Sequence, residues 1–340
     1  VLDPARTFVT RAVRGAGAND VILVAGGDTL LSPLKGDPAA VAGRAGLADL
    51  AGQTAKALKA QGITGVRLHI DDRYASGPRY APGWIAADIS AGLTGPVAML
   101  GLSTERPSPG RAAPADPALS TARAFRLALA ANGITVAAVI DHAASPEGAP
   151  DLGVVKSAPL AEVMALALDD SDDALTESLA RQGAVAAGRR TSFAAVTTWV
   201  KQTLAAKGVV MSGVTLVDTS GLSAGTRIPV RVLGDVLSLA AGGQDPALQD
   251  VVSQLPVAGL TGTLAHRFVK GSTLAAAGIV RAKTGTLTGV SSLAGTVVDR
   301  DGRLLTFAIL ADKVAPGVGT LSARAALDRF VATLAACGCG

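Results

Sequence analysis

The sequence predicts an α+β protein in which an antiparallel sheet carries helices on its faces and a smaller α/β part is inserted near the N-terminus. Three observations point there. Short β-branched runs alternate with helical patterns early in the chain, the middle is mostly helical, and three strand-like runs with a tight turn close it.

Taken in order, residues 20–25 are an apolar run ended by Gly26-Gly27-Asp28, which reads as a buried strand and a turn. Leu47, Leu50, Ala51, Thr54 and Leu58 fall at helical spacing within residues 47–61, which stop at Gly62; residues 66–70 then alternate like a strand. Proline and glycine thicken between residues 77 and 117, and residues 103–117 have linker composition. A domain boundary is therefore expected near residue 112, dividing the chain into 1–111 and 112–340. Beyond it, residues 120–131 predict a helix ended at Asn132-Gly133, 134–140 a strand and 160–187 a long helical pattern. Thr191-Ser192 caps a helix that runs to Lys207 and closes at Gly208. Pro229 suits the first turn of a helix over 230–241. Residues 279–284, 291–298 and 304–310 read as strands, with Asp299-Arg300-Asp301-Gly302 as the hairpin turn between the last two. Residues 321–335 form a C-terminal helical pattern.

Of the 340 residues, 49% are apolar and 17% charged, ample for a core and unlike a disordered chain. Aromatics are only 3%, so Ala, Val and Leu must build that core, and the stacking platforms of RNA or single-strand binding modules are lacking. A net charge of +4, spread among acids, argues against a nucleic-acid partner. No apolar run approaches the roughly 20 residues that span a bilayer. The chain opens at Val1 without a basic or apolar leader region. It is expected to have lost a leader or to start inside a longer gene product, through whose N-terminal segment any membrane association would come.

His69, His142 and His266 are not in a ligand-spaced cluster. Cys337 and Cys339 cannot complete a four-ligand zinc site alone, and their Cys-Gly-Cys ring would be small and strained, so no mutual disulfide is expected. No Gly-x-Gly-x-x-Gly follows a predicted strand, which sets aside a dinucleotide-binding domain. No metal or organic cofactor is implied.

The densest chemistry lies in Arg281-Ala282-Lys283-Thr284-Gly285-Thr286. A strand edge there offers a cation, hydroxyls and a residue without a side chain, so an acyl-peptide can lie alongside as an added strand. Lys283, Thr284 and Thr286 would face a carboxylate or developing negative charge. Upstream stand the polar turn Asp218-Thr219-Ser220-Gly221-Leu222-Ser223 and the acidic Asp170-Ser171-Asp172-Asp173, which interrupts the long helical region.

In the order Ser171-Asp172-Asp173, Asp218 to Ser223, Gly262-Thr263-Leu264 and Lys283-Thr284-Gly285, the chain resembles the penicillin-binding D-alanyl-D-alanine carboxypeptidases. More narrowly, it resembles their class C low-molecular-mass, S13 peptidase type, which also acts as an endopeptidase. Residues 21–32, Ala81-Pro82-Gly83-Trp84 and the Cys-Gly-Cys tail extend the likeness over nearly the whole chain, and the tail is most similar to actinobacterial members.

The resemblance implies a β-lactamase/transpeptidase-like domain over 112–340. Residues 1–111 would then hold its N-terminal edge and the inserted α/β domain. It implies serine acyl-enzyme chemistry on peptidoglycan stem peptides, β-lactams as ligands, and an extracytoplasmic place: secreted, in the cell wall or membrane-anchored. By that match Ser171 is the catalytic proton relay and Asp173 stands where an amide side chain binds the substrate. Lys283, Thr284 and Gly285, with Thr286 beside them, grip the terminal carboxylate.

Two departures stand out. The one Ser-x-x-Lys, Ser32-Pro33-Leu34-Lys35, lies in a predicted loop, where no helix turns both side chains to one face; the nucleophile is therefore expected to lie outside these residues. Asparagine occurs only at Asn19 and Asn132, so Asp173 puts a carboxylate, which cannot donate when ionised, where the family has an amide. Those departures keep a second expectation open, a non-catalytic peptidoglycan-binding or scaffold homologue with decayed motifs.

Overall fold

The computed structural model describes residues 2–338 and divides the chain into two compact units. The first comprises residues 1–163, 173–197 and 217–224; the second comprises 164–172, 198–216 and 225–340. Residue 112 thus lies inside the first unit and is no boundary. The proline-rich stretch before it leads directly into a helix on the same sheet. Asp116 caps that helix by accepting from the Leu119 N–H at 3.0 Å, with Pro117 in its first turn.

The first unit holds β1 (Thr7–Arg14), β2 (Asp20–Val24), α1 (Leu47–Lys59), β3 (Gly65–Asp71), the short α2 (Ala86–Ser90), α3 (Pro117–Ala131), β4 (Thr135–His142) and β5 (Asp151–Pro159). Its sheet runs β4-β3-β2-β1-β5. β1 pairs antiparallel with β2 and β5, whereas β2-β3 and β3-β4 are parallel. Parallel neighbours need a crossover, and α1 and α3 supply one each. Leu47, Leu50 and Leu58 of α1 and Phe125 and Leu129 of α3 pack with Val21, Leu23, Leu68 and Ile70, all fully buried or nearly so. Each such side chain is worth about 1.5–3 kcal/mol of transfer free energy.

The long helical pattern over 160–187 forms two helices, α4 (Leu160–Asp170) and α5 (Asp173–Ala186), interrupted at the acidic run. α6 (Phe193–Ala206) follows Ser192, whose hydroxyl accepts from Ala195 N–H at 3.3 Å, and the chain leaves it through Gly208 at φ 90°. The second unit adds α7 (Val230–Ala241), α8 (Pro246–Ser253), β6 (Val280–Leu287), β7 (Val290–Val298), β8 (Leu304–Ala311) and α9 (Gly319–Ala336). Its antiparallel sheet runs β6-β7-β8. Val280, Ala282, Leu293, Val297 and Phe307 on the sheet pack with Leu327, Val331 and Ala335 of α9. Gly302, at φ 81°, completes the expected hairpin turn.

The expectation that Cys337 and Cys339 form no mutual disulfide falls partly outside the described residues. Cys337 is disulfide-bonded, and Cys339 lies outside the described residues. No helix among the described residues is long and apolar enough to cross a membrane.

Candidate active site

β6 is the strand on which the site is built. Its first half is covered on the edge away from β7: Ala258 N–H donates to Val280 O and Ala282 N–H to Pro256 O, both at 2.9 Å. Strand periodicity sends the N–H groups of Thr284 and Thr286 to that same edge, past the end of this cover. Where β6 emerges, Lys283 Nζ donates to Ser171 Oγ at 2.6 Å and to the carbonyl of Thr284 at 3.0 Å. Two residues 112 positions apart in sequence therefore meet, and both are half-buried. Thr284 Oγ1 donates to Thr263 Oγ1 at 3.0 Å, lining hydroxyls along the same border.

Ser171 occupies the turn between α4 and α5 with φ 54°, a left-handed conformation that costs a non-glycine residue about 1 kcal/mol. The turn is closed by Asp172 N–H donating to Ala167 O at 3.0 Å. A second clamp comes from the loop beside β6. Thr261 Oγ1 donates to Asp169 Oδ1 at 3.1 Å while accepting from Val257 N–H at 3.1 Å. Gly262 fits here because φ is 52° and a Cβ would stand 2.5 Å from Asp169 Oδ1 and 2.7 Å from its carbonyl oxygen. Asp169, Thr261 and Gly262 thus fix the spacing between the serine turn and the lysine strand.

Of the residues singled out by sequence, Ser171, Lys283 and Thr284 form one connected cluster. Thr286 follows on the exposed edge. Gly285 pairs with Ser292 of β7, whose Oγ stands 2.2 Å from where a Cβ would be; the space at this glycine is thus taken by the neighbouring strand. Asp173 is the first residue of α5, where a carboxylate complements the helix N-terminus. Ser32 forms an isolated bridge with Gly46 and its Oγ accepts from Leu34 N–H at 3.1 Å, so Ser32 and Lys35 share no helix.

Thr263 belongs to the Gly262-Thr263-Leu264 motif quoted from the sequence, whereas sequence reasoning missed Asp169 and Thr261 as parts of the cluster. Their only signal was position: one acid in an acidic run and a threonine just before that motif. It also missed Glu177, in the first unit. That buried carboxylate accepts from Thr219 N–H (2.6 Å), Thr219 Oγ1 (2.7 Å) and Ser220 N–H (2.7 Å), while burial pushes its pKa up. Asp218, equally buried, accepts from Trp84 Nε1 (2.9 Å), Gly221 N–H (3.1 Å) and Ser223 N–H (2.7 Å). The polar turn at 218–223 is therefore tied down by two acids through its backbone.

The fold has solved counterparts. Penicillin binding protein 4 from Haemophilus influenzae superposes with a TM-score of 0.77 at 19% identity, over 97% of this chain and 86% of that one. A predatory endopeptidase from Bdellovibrio bacteriovorus matches with a TM-score of 0.52 at 17% identity, over 98% of this chain and 81% of that one. The fold is that of the penicillin-binding proteins. In sequence, carboxypeptidase DacB of Mycolicibacterium smegmatis is 39% identical over 325 residues, 94% of this chain and 68% of that protein. A carboxypeptidase of Mycobacterium tuberculosis is 37% identical over 346 residues, 99% of this chain and 72% of that protein. The model of the D-Ala-D-Ala carboxypeptidase 3 (S13) family matches residues 1–115 and 102–334, and the chain belongs to that family.

Proposed function

We propose that the protein is a serine-type D-alanyl-D-alanine carboxypeptidase acting on peptidoglycan stem peptides, and that these residues hold the substrate-gripping and proton-relay half of its site. The observation that carries the reading is the Lys283–Ser171 hydrogen bond at the emergent end of an edge strand. A peptide ending in D-alanine adds to β6 through the Thr284 and Thr286 backbone groups, its carboxylate meeting the Lys283 ammonium and the Thr284 and Thr263 hydroxyls. A serine hydroxyl attacks the penultimate D-Ala carbonyl, and the C–N bond to the terminal residue breaks. Lys283 donates to the Ser171 oxygen, so the Ser171 proton is directed to the leaving amine nitrogen, and the proton released by the attacking hydroxyl returns to Ser171, which ends the step as it began. Water then hydrolyses the ester.

The nucleophile comes from a segment outside these 340 residues, because Ser32 and Lys35 lack the helix that would activate the serine. Asp173 accepts a hydrogen bond from a substrate N–H where an amide would also donate. β-Lactams, as mimics of the acyl donor, occupy the same edge. The Haemophilus protein is known in complex with one. Since the substrate lies outside the cytoplasmic membrane, so does the enzyme. Endopeptidase action on cross-links uses the same geometry with a larger leaving group.

Fluorescent penicillin tests this. The full-length gene product is expected to label covalently, and the 340-residue chain is not. An intact gene product that binds peptidoglycan yet never labels would favour the non-catalytic reading, which the carboxylate at Asp173 motivates.

A further inference from the structure

Within the first unit, α5 carries a buried cation that the proposed chemistry does not use. Arg181 is only 1% exposed. Its guanidinium carbon stands 4.7 Å from the Phe193 ring centroid, and Nη2 donates to the carbonyl of Pro78. Its Nε is buried without a partner, and no carboxylate among the described residues lies within ion-pair distance of it. Glu177, one turn away on α5, is committed to the 218–223 turn. Burial lowers the Arg181 pKa to about 10, which leaves the side chain charged at neutral pH. The Glu177 charge raises the Arg181 pKa against that burial, yet no carboxylate oxygen reaches the guanidinium, so Nε is a buried donor still open to an acceptor.

Beside Arg181 is a cavity of about 50 Å³, also lined by Asp72, Arg79, Ala98, Met99 and Asp116. Its two acids are already engaged. Asp116 accepts from Arg79 Nη2 at 2.6 Å and caps α3, and Asp72 lies 3.1 Å from His142 Nδ1. Arg181 is the lining cation to which no carboxylate is hydrogen-bonded: Glu177, one turn away, attracts it only through space, and its Nε has no acceptor. The space exceeds the roughly 10–15 Å³ of such volume that holds one water, leaving room for a small ion.

We propose that Arg181 and this cavity form a binding site for a small monovalent anion, chloride or the carboxylate group of a formate- or acetate-sized ligand. The bound ion neutralises the guanidinium and holds α5 to the backbone around Gly77 and Pro78. The site is independent of the Ser171–Lys283 cluster, so its test does not depend on peptidase activity.

The experiment is a chloride-35 NMR line-width titration of the 340-residue chain, with formate and acetate as competitors and sulfate at matched ionic strength as control. Two variants accompany it. Arg181→Gln removes the cation, and Ala98→Leu fills the cavity while leaving the guanidinium in place. Saturable broadening is expected that formate or acetate displaces and sulfate does not, reduced at least fivefold in both variants. Displacement by the carboxylates at lower concentration than chloride itself requires identifies a carboxylate ligand; the reverse identifies chloride. If Arg181→Gln does not fold, Ala98→Leu decides alone. Broadening in the wild type equal to that of Ala98→Leu, or displaced equally by sulfate, would overturn the proposal and leave water in the cavity.

Discussion

Lys283 joins three acceptors of different kinds: a serine oxygen, a backbone carbonyl and, in the proposed complex, a carboxylate. Ser171 has no such redundancy. In full-length protein, Ser171→Ala is expected to slow D-Ala release by about 10²-fold or more, since a positioned general acid contributes 10²–10⁴-fold. Steady-state kinetics on a D-Ala-D-Ala peptide measures it, and an unchanged kcat would remove Ser171 from the relay. Asp28 makes a prediction about stability. It is buried, accepts one hydrogen bond from Leu30 N–H at 2.9 Å, and burial raises its pKa to about 7. The folded pKa exceeds that of an unfolded aspartate, so its contribution is full below about pH 4 and lost as the pH rises toward 7. Asp28→Asn keeps the acceptor and removes the charge. It is expected to stabilise the chain at pH 8 on the order of 2–4 kcal/mol and to do little at pH 4. Urea denaturation at both pH values reads this, and equal effects at both would show that Asp28 does not titrate there.

At the scale of elements, the site is a turn and a strand clamped by a loop. Gly262→Ala forces a side chain into a left-handed conformation and against Asp169. It is expected to cost about 1–3 kcal/mol by denaturation and to slow β-lactam acylation of the full-length protein about tenfold or more, because misplacement of a catalytic group by an ångström is costly. Wild-type acylation in this variant would show that the clamp does not set the Ser171–Lys283 spacing. The three strands of the second unit were legible because Leu293, Val297, Phe307 and their neighbours alternate in large apolar side chains. β1 and β5 were not. Their inward positions include Thr10, Ala12, Gly153 and Ser157, small or polar residues that erase the period-two signal although the chain buries them. Lys283, Thr284, Ser171 and Thr263 were singled out through the order of their motifs along the chain, whereas Asp169 and Thr261 join them through geometry that no local pattern encodes. The helix break at 170–173 was legible as an acidic interruption of the helical pattern, while the left-handed Ser171 that makes it was not.

Across the whole molecule, the units draw on separate stretches of chain, and linker-like composition misled because the segment before Asp116 packs as part of the first unit. Family membership follows from sequence over nearly the full length. The claim on which the account rests is that the amine at 283 grips the acyl donor's anionic end. The most direct measurement is the second-order rate of penicillin acylation of the full-length protein, wild type against Lys283→Ala. Loss of a close charge pair of about 3 kcal/mol predicts a fall of at least 10²-fold. A Lys283→Ala protein that is acylated at the wild-type rate would contradict the account.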